Sequence, residues 1–145
     1  MSLDGAYDPD NIFARIVRGD ASAARVFEDA DTLAFLDAFP QARGHALAVH
    51  KTSRARNLLD AEPAALTALI LTVQKVTRAL RSALDPDGIV VSQFNGAAAG
   101  QTIYHLHFHM IPRAQGEPLA RHGSGMADPA ELAALAGKIA AAITP

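Results

Sequence analysis

The 145-residue sequence predicts one α+β domain: a five-stranded antiparallel sheet with one long helix and one or two shorter ones. Five short runs have strand composition. Two longer stretches repeat apolar residues at spacings of three and four, as helices with one buried face do. These helical stretches do not alternate regularly with the strands, which argues against a doubly wound parallel sheet.

The elements follow in order. A short helix is expected first, with Asp8 or Asp10 as its cap, Pro9 in its first turn, and Ile12, Phe13, Ile16 and Val17 on one face. Gly19-Asp20 ends it. Arg25–Glu28 and Thr32–Asp37 flank the turn-forming Asp29-Ala30-Asp31 and read as a hairpin. Pro40–Gly44 is a loop, and His45–His50 is a third strand. Pro63 opens the long helix, whose stripe is Leu66, Leu69, Ile70, Val73, Val76, Thr77, Leu80 and Leu84. Asp85-Pro86-Asp87-Gly88 stops it. Ile89–Phe94, rich in β-branched residues, is the fourth strand. After the small-residue loop Asn95–Gly100, Thr102–Ile111 is the fifth strand, closed by Pro112. Asp128-Pro129-Ala130-Glu131 has the composition of a capping box and opens a final helix carrying Leu132, Leu135, Ile139 and Ile143.

Composition narrows the function classes. Half the residues are hydrophobic and 19% are charged, enough apolar material for a small core. The net charge of −2 offers no basic field for nucleic acid or an anionic membrane. No segment has the apolar length of a membrane span, and the first residues lack the pattern of a secretory signal. A soluble, cytoplasmic protein is expected. Cysteine is absent, which excludes disulfides, a cysteine nucleophile and thiolate metal ligands.

Three of the six histidines fall in His105-Leu106-His107-Phe108-His109. On a strand this alternation aims all three imidazoles one way, roughly 7 Å apart, with Tyr104, Leu106, Phe108 and Met110 aimed the other way. Three readings compete: a polar sheet face, a three-histidine metal site, and nucleophilic catalysis by a neutral imidazole attacking phosphorus. The preceding loop favours the third. Asn95–Gly100 has little side-chain bulk, glycines that permit unusual backbone angles, and N–H groups able to face an anion; Gln101 and Thr102 add side-chain donors.

The segment Asn95–Arg113, NGAAAGQTIYHLHFHMIPR, resembles the signature of the histidine triad (HIT) family of nucleotide hydrolases and transferases. Asn11–Gly19 is similar to that family's opening helix. Leu33–Asp37 and Pro40–His45 are similar to its nucleoside-binding strand and the turn after it. The likeness covers residues 11 to 113 and leaves the tail and helix of 114–145 unassigned. The branch it resembles is that of the small bacterial Hint-like proteins; the galactose-1-phosphate uridylyltransferase branch carries Gln where His109 stands.

The resemblance implies a HIT-like fold and a set of roles. His107 matches the nucleophile that attacks the α-phosphate, and His109 the residue that hydrogen-bonds the phosphate. His105 and His45 match supporting histidines that orient His107. Asn95, Gly100, Gln101 and Thr102 belong to the phosphate and leaving-group side. Asp37 matches the acid that binds the ribose hydroxyls. Phe13, Ile16, Phe35 and Ala38 match the walls of the purine slot. His50 and His122 have no counterpart and read as surface histidines. Structural zinc, held in some members by two cysteines and a histidine besides the first triad histidine, is not expected, because Asn11, Ala14 and Ser53 stand at those positions. Phe94 replaces a frequent asparagine.

The implied activity is hydrolysis or nucleotidyl transfer at the α-phosphate of a purine nucleotide, a nucleoside phosphoramidate or adenylated amine, through nucleotidyl-His107. It needs no metal or other cofactor. The alternatives are a dinucleoside polyphosphate hydrolase, a nucleotide-binding module with vestigial activity, and a three-histidine metalloenzyme. A homodimer is implied, formed by edge-to-edge sheet pairing, with the Leu69–Leu80 face of the long helix compatible with it.

Overall fold

The computed structural model describes residues 2–120 and 125–144. Helix α1 (Ile12–Val17) leads to strands β1 (Arg25–Glu28), β2 (Thr32–Leu36) and β3 (Ala46–His50). A 3-10 turn at Leu58–Asp60 precedes the long helix α2 (Pro63–Leu84). Strand β4 (Gly88–Ser92), a 3-10 turn at Ala97–Ala99, strand β5 (His107–Arg113) and helix α3 (Pro129–Ala141) complete the chain. The sheet order is β1-β2-β3-β5-β4, and every neighbouring pair is antiparallel. The expected fold class is the one observed.

Strand alternation divides the molecule into two apolar layers. Ala34, Leu36, Ala46, Ala48 and Met110 face α2 and α3, meeting Leu69, Val73, Val76, Leu80 and Ile139. Leu33, Phe35, Leu47 and Val49 face the other way and meet Phe13 and Ile16 of α1. The register then places the site. His109 pairs with Leu47 and His107 with Val49, so both imidazoles lie on the α1 face. Asp37 and His45, flanking the β2–β3 loop, have the same parity, and the Asp37 amide donates to the His45 carbonyl at 2.9 Å.

Gly44 makes that loop possible. Its φ is +89°, and a Cβ there would sit 2.5 Å from Leu84 Cδ1 and 3.2 Å from Pro112 Cγ. Only glycine combines that backbone conformation with that close approach.

Several expected boundaries move. The side chain capping α1 is Asn11, whose Oδ1 accepts the Ala14 amide at 2.9 Å; Asp8 instead anchors the turn before it. Asp85, in a left-handed conformation, closes α2. Asp128 stands at the N-cap of α3 without a side-chain hydrogen bond, so the capping box does not form, and Ile143 lies beyond the helix. Strand β4 ends at Ser92, short of Phe94. Strand β5 begins at His107, not Thr102, and runs through Pro112 to Arg113. Proline is tolerated there because β3 pairing has already stopped, at Ala46 with Met110. In α2, Leu69, Val73, Val76 and Leu80 are buried in this chain's own core, whereas Ile70 is 48% exposed. The Leu69–Leu80 face is therefore consumed internally and is not open to a second copy.

Candidate active site

Four buried histidines and one buried carboxylate meet on the α1 face: His45, His105, His107, His109 and Asp37. Their hydrogen-bond partners assign the tautomers. The Gln41 main-chain N–H donates to His45 Nδ1 at 3.1 Å, so the neutral His45 ring carries its proton on Nε2. That nitrogen lies 2.9 Å from His109 Nδ1 and donates to it. The His109 proton is thereby placed on Nε2. His107 Nδ1 lies 2.6 Å from the His105 carbonyl, which only accepts, so Nδ1 is protonated and Nε2 is the lone-pair nitrogen. The result is a ring with Nε2 protonated, His109, beside a ring with its lone pair on Nε2, His107, with centroids 4.9 Å apart.

That separation is shorter than the strand repeat because the two rings lean together, at 62° to one another. Phe13 stands edge-on to His107 at 4.8 Å, and Phe94 lies 5.2 Å from His109. His105 is not on the strand. It occupies the bend before it, with its ring against Tyr7 and Phe13. Its support of His107 comes from its main-chain carbonyl, and the ring hydrogen bond of His45 goes to His109. Burial pushes the His105 imidazole down to about 4, against the opposing pull of a hydrogen bond with the His50 backbone; the nearby His107 adds to the depression. His105 is therefore neutral at pH 7.

A cavity of about 510 Å3 opens over this face. Of the residues expected at the site, Phe13, Ile16, Phe35, Asp37, Ala38, Thr102, His107 and His109 line it. His45, His105, Asn95, Gly100 and Gln101 do not. Asn95 Oδ1 accepts the Leu58 amide and the Gln93 side chain. Gln101 is buried and spends its amide on the loop, accepting from Gly96 N–H and donating to the Arg56 and Ile103 carbonyls. It holds the loop instead of supplying a side-chain donor to a ligand. Gly100 closes the 3-10 turn onto Ala97.

Other residues come to the site unforeseen. Met126, Ala127, Pro129, Leu132 and Ala133 of the tail and α3 line the same cavity, tied down by an Ala127 amide to Ala38 carbonyl hydrogen bond of 2.9 Å. The only sequence hint was the apolar stripe of the last helix. Gln41 acts through its backbone, which no side-chain pattern reports. His50 is also more than a surface residue: its Nδ1 accepts the Ser53 amide, and its main chain bonds His105. His122 lies outside the described residues.

Among the described residues, Asp37, His45 and His109 form one group with metal-ligand spacing, their ligand atoms within 4.8 Å of one another. The hydrogen bonding opposes a cation there. Gln41 N–H occupies His45 Nδ1, so His45 could ligate through Nε2 only as an imidazolate. The cluster is better described as a chain, with Asp37 Oδ2 3.6 Å from His45 Nε2 and Asp37 Oδ1 accepting the Phe39 amide. The positions where zinc-binding cysteines and a histidine were not expected are also engaged: Asn11 caps α1, and Ser53 Oγ donates to Glu62.

The fold and site define a class: an α+β protein whose internal strand β5 carries two tautomerically fixed histidines into an apolar cavity. The HIT domain model matches residues 18–116. A crystal structure of a Hit-like protein from Bartonella henselae has a TM-score of 0.91 and 46% identity, covering 96% of this chain and 100% of that one. The adenosine 5'-monophosphoramidase of Schizosaccharomyces pombe is 34% identical over 91% of this chain and 97% of its own. A Bacillus subtilis relative, Protein hit, is 37% identical over 70% of each chain. This chain belongs to the HIT family.

Proposed function

We propose that the protein hydrolyses purine nucleoside phosphoramidates, or adenylated amines, through a covalent nucleotidyl-His107 intermediate. The carrying observation is the 2.6 Å bond between His107 Nδ1 and the His105 carbonyl, which makes Nε2 the nucleophilic nitrogen. In the first step Nε2 attacks the α-phosphorus, the P–N bond to the amine breaks, and the amine leaves with a proton. Water then attacks phosphorus, the Nε2–P bond breaks, and the nucleoside monophosphate departs. In net terms one water is consumed, and its two hydrogens end on the amine and the phosphate product. His109 Nε2–H is the donor for a phosphoryl oxygen that gains charge in both steps. Little else is required, since transfer at phosphorus depends chiefly on positioning and charge stabilisation.

The apolar walls Phe13, Ile16 and Phe35 suit a purine, and Asp37 suits ribose hydroxyls. The named activity of the fission yeast relative supports the phosphoramidate reading. The test is turnover of adenosine 5'-phosphoramidate: wild type releases AMP, His107→Ala does not while still binding AMP, and equal rates would sink the reading.

A homodimer belongs to the same proposal. The sheet ends at β4, whose Val90 and Val91 are 44% and 45% exposed, and Ile70 and Leu71 of α2 are exposed too. An apolar edge strand invites pairing with a second copy. Sedimentation of wild type as a dimer and of Val91→Glu as a monomer is expected; a monomeric wild type would end this part of the proposal.

A further inference from the structure

Four aromatic rings stand in a row across the site. Phe13 lies 4.8 Å from His107, His107 4.9 Å from His109, and His109 5.2 Å from Phe94. Phe13, at one end, lines the cavity; Phe94, at the other, does not. The sheet puts Phe94 there. Ser92, the last residue of β4, pairs with His109 and shares its face, and Phe94 two positions further on takes the same side.

The Phe94 ring is not spent on the core. It is half-buried, and among the described residues it packs against neither apolar layer, whereas the half-buried Phe27 and Phe108 both do. The His109 ring meets it on one side. The loop backbone closes on it at Gly100, where a Cβ would come within 3.9 Å of Phe94 Cγ and Cδ2. A phenyl group held in this way and still part-exposed offers an apolar surface to a ligand. The polar side chains beside it are engaged elsewhere. Gln93 Nε2 donates to the Phe94 carbonyl and to Asn95 Oδ1, and Gln101 is bonded within the loop. Residues 93–102 include no lysine or arginine, and among the described residues none lines the cavity. Beyond His109 itself, this end of the site brings no cation to an anionic group.

We propose that Phe94 sets the leaving-group specificity: its ring, at the His109 end of the row, receives the group that departs from phosphorus and favours an amine with an apolar or aromatic substituent. This rests on the phosphoramidate reading above and names its leaving group. In displacement at phosphorus the attacking and leaving atoms lie roughly in line. His107 Nε2 attacks from its own side, and the nucleoside fills the cavity at the Phe13 end. The leaving nitrogen therefore points away from both, over His109 towards Phe94.

The experiment compares wild type, Phe94→Leu and Phe94→Asn on two substrates, adenosine 5'-phosphoramidate and the phosphoramidate of AMP with phenethylamine. The readout is the ratio of kcat/KM for the phenethyl compound over the unsubstituted one, measured on a single preparation. A change in folded fraction or in the placing of His109 moves both substrates alike and cancels. Wild type is expected to favour the phenethyl compound. Phe94→Asn should lower the ratio roughly tenfold, about the worth of one aromatic contact, and Phe94→Leu should lower it less. A wild-type ratio at or below unity would overturn the proposal. So would a ratio that Phe94→Asn leaves unchanged while both rates fall, which would confine Phe94 to supporting His109. If wild type turns over neither compound, the functional reading falls. Calorimetric affinities of the two uncleaved compounds then decide the role of Phe94: a preference for the phenethyl compound that Phe94→Asn removes upholds it, and no preference or no binding overturns it.

Discussion

Replacing His45 by leucine tests the hydrogen-bond chain behind His107 and His109. His45 is 1% exposed, and both its nitrogens are used, one by the Gln41 amide and one by His109 Nδ1. Leucine fills much of the volume but bonds neither neighbour. Each stranded group costs about 1–3 kcal/mol, so with two of them the fold should lose about 2–6 kcal/mol, read as a lower urea midpoint with an unchanged slope. The catalytic effect is separate. Without His45 the proton on His109 is shared between Nδ1 and Nε2, and the donor aimed at the phosphate is present only part of the time. Complete loss of one such oriented donor is worth about 10²- to 10³-fold in rate, and a tautomer shift that leaves the donor in place about a tenth to a hundredth of the time gives about 10- to 100-fold in kcat. The assay is steady-state release of AMP from adenosine 5'-phosphoramidate by folded variant at low denaturant. A folded His45→Leu with kcat within about twofold of wild type would refute the claim that His45 sets the state of His109.

Three other expectations follow from the same geometry. His105 titrates near 6.5 when unfolded and near 4 when folded, so its neutral form stabilises the protein above about pH 6.5. That contribution, about 3 kcal/mol, is lost as pH falls from 6.5 towards 4; urea unfolding at several pH values should show the loss, and His105→Asn should make it shallower. Gly44→Ala forces a Cβ against Leu84 and Pro112 at φ +89° and should destabilise by about 2–4 kcal/mol, seen as a drop in Tm. Leu69→Ala, at a fully buried position between α2 and the sheet, should cost about 2–5 kcal/mol by urea titration and leave KM for the nucleotide unchanged.

The sequence made some features legible and hid others for identifiable reasons. Strand face was legible where side chains alternate, Leu33, Phe35, Leu47 and Val49 against Ala34, Leu36, Ala46 and Ala48, whereas the order of strands in the sheet was not. The pairing of His107 with His109 was readable for the same reason. His105 misled because alternation continues through it while the backbone does not; the strand starts at His107, and the bend before it follows from the loop that Gln101 ties together. Gln101 itself looked like a ligand donor because its side chain can donate, and only the fold shows where those donors go. Gln41 and Tyr7 were invisible for opposite reasons. One works through a main-chain amide that every residue type but proline possesses, and the other reaches His105 across 98 positions of sequence. The cavity wall from Met126 to Ala133 escaped notice because small apolar residues on a helix announce burial without saying against what.

The most direct test of the account is mass spectrometry of intact protein quenched without acid after brief exposure to adenosine 5'-phosphoramidate, followed by peptide mapping. The account predicts a transient adenylyl adduct on His107 in wild type, none in His107→Ala, and AMP released as the adduct decays. An adduct on His109 or His105, or AMP formed at full rate by His107→Ala, would contradict it.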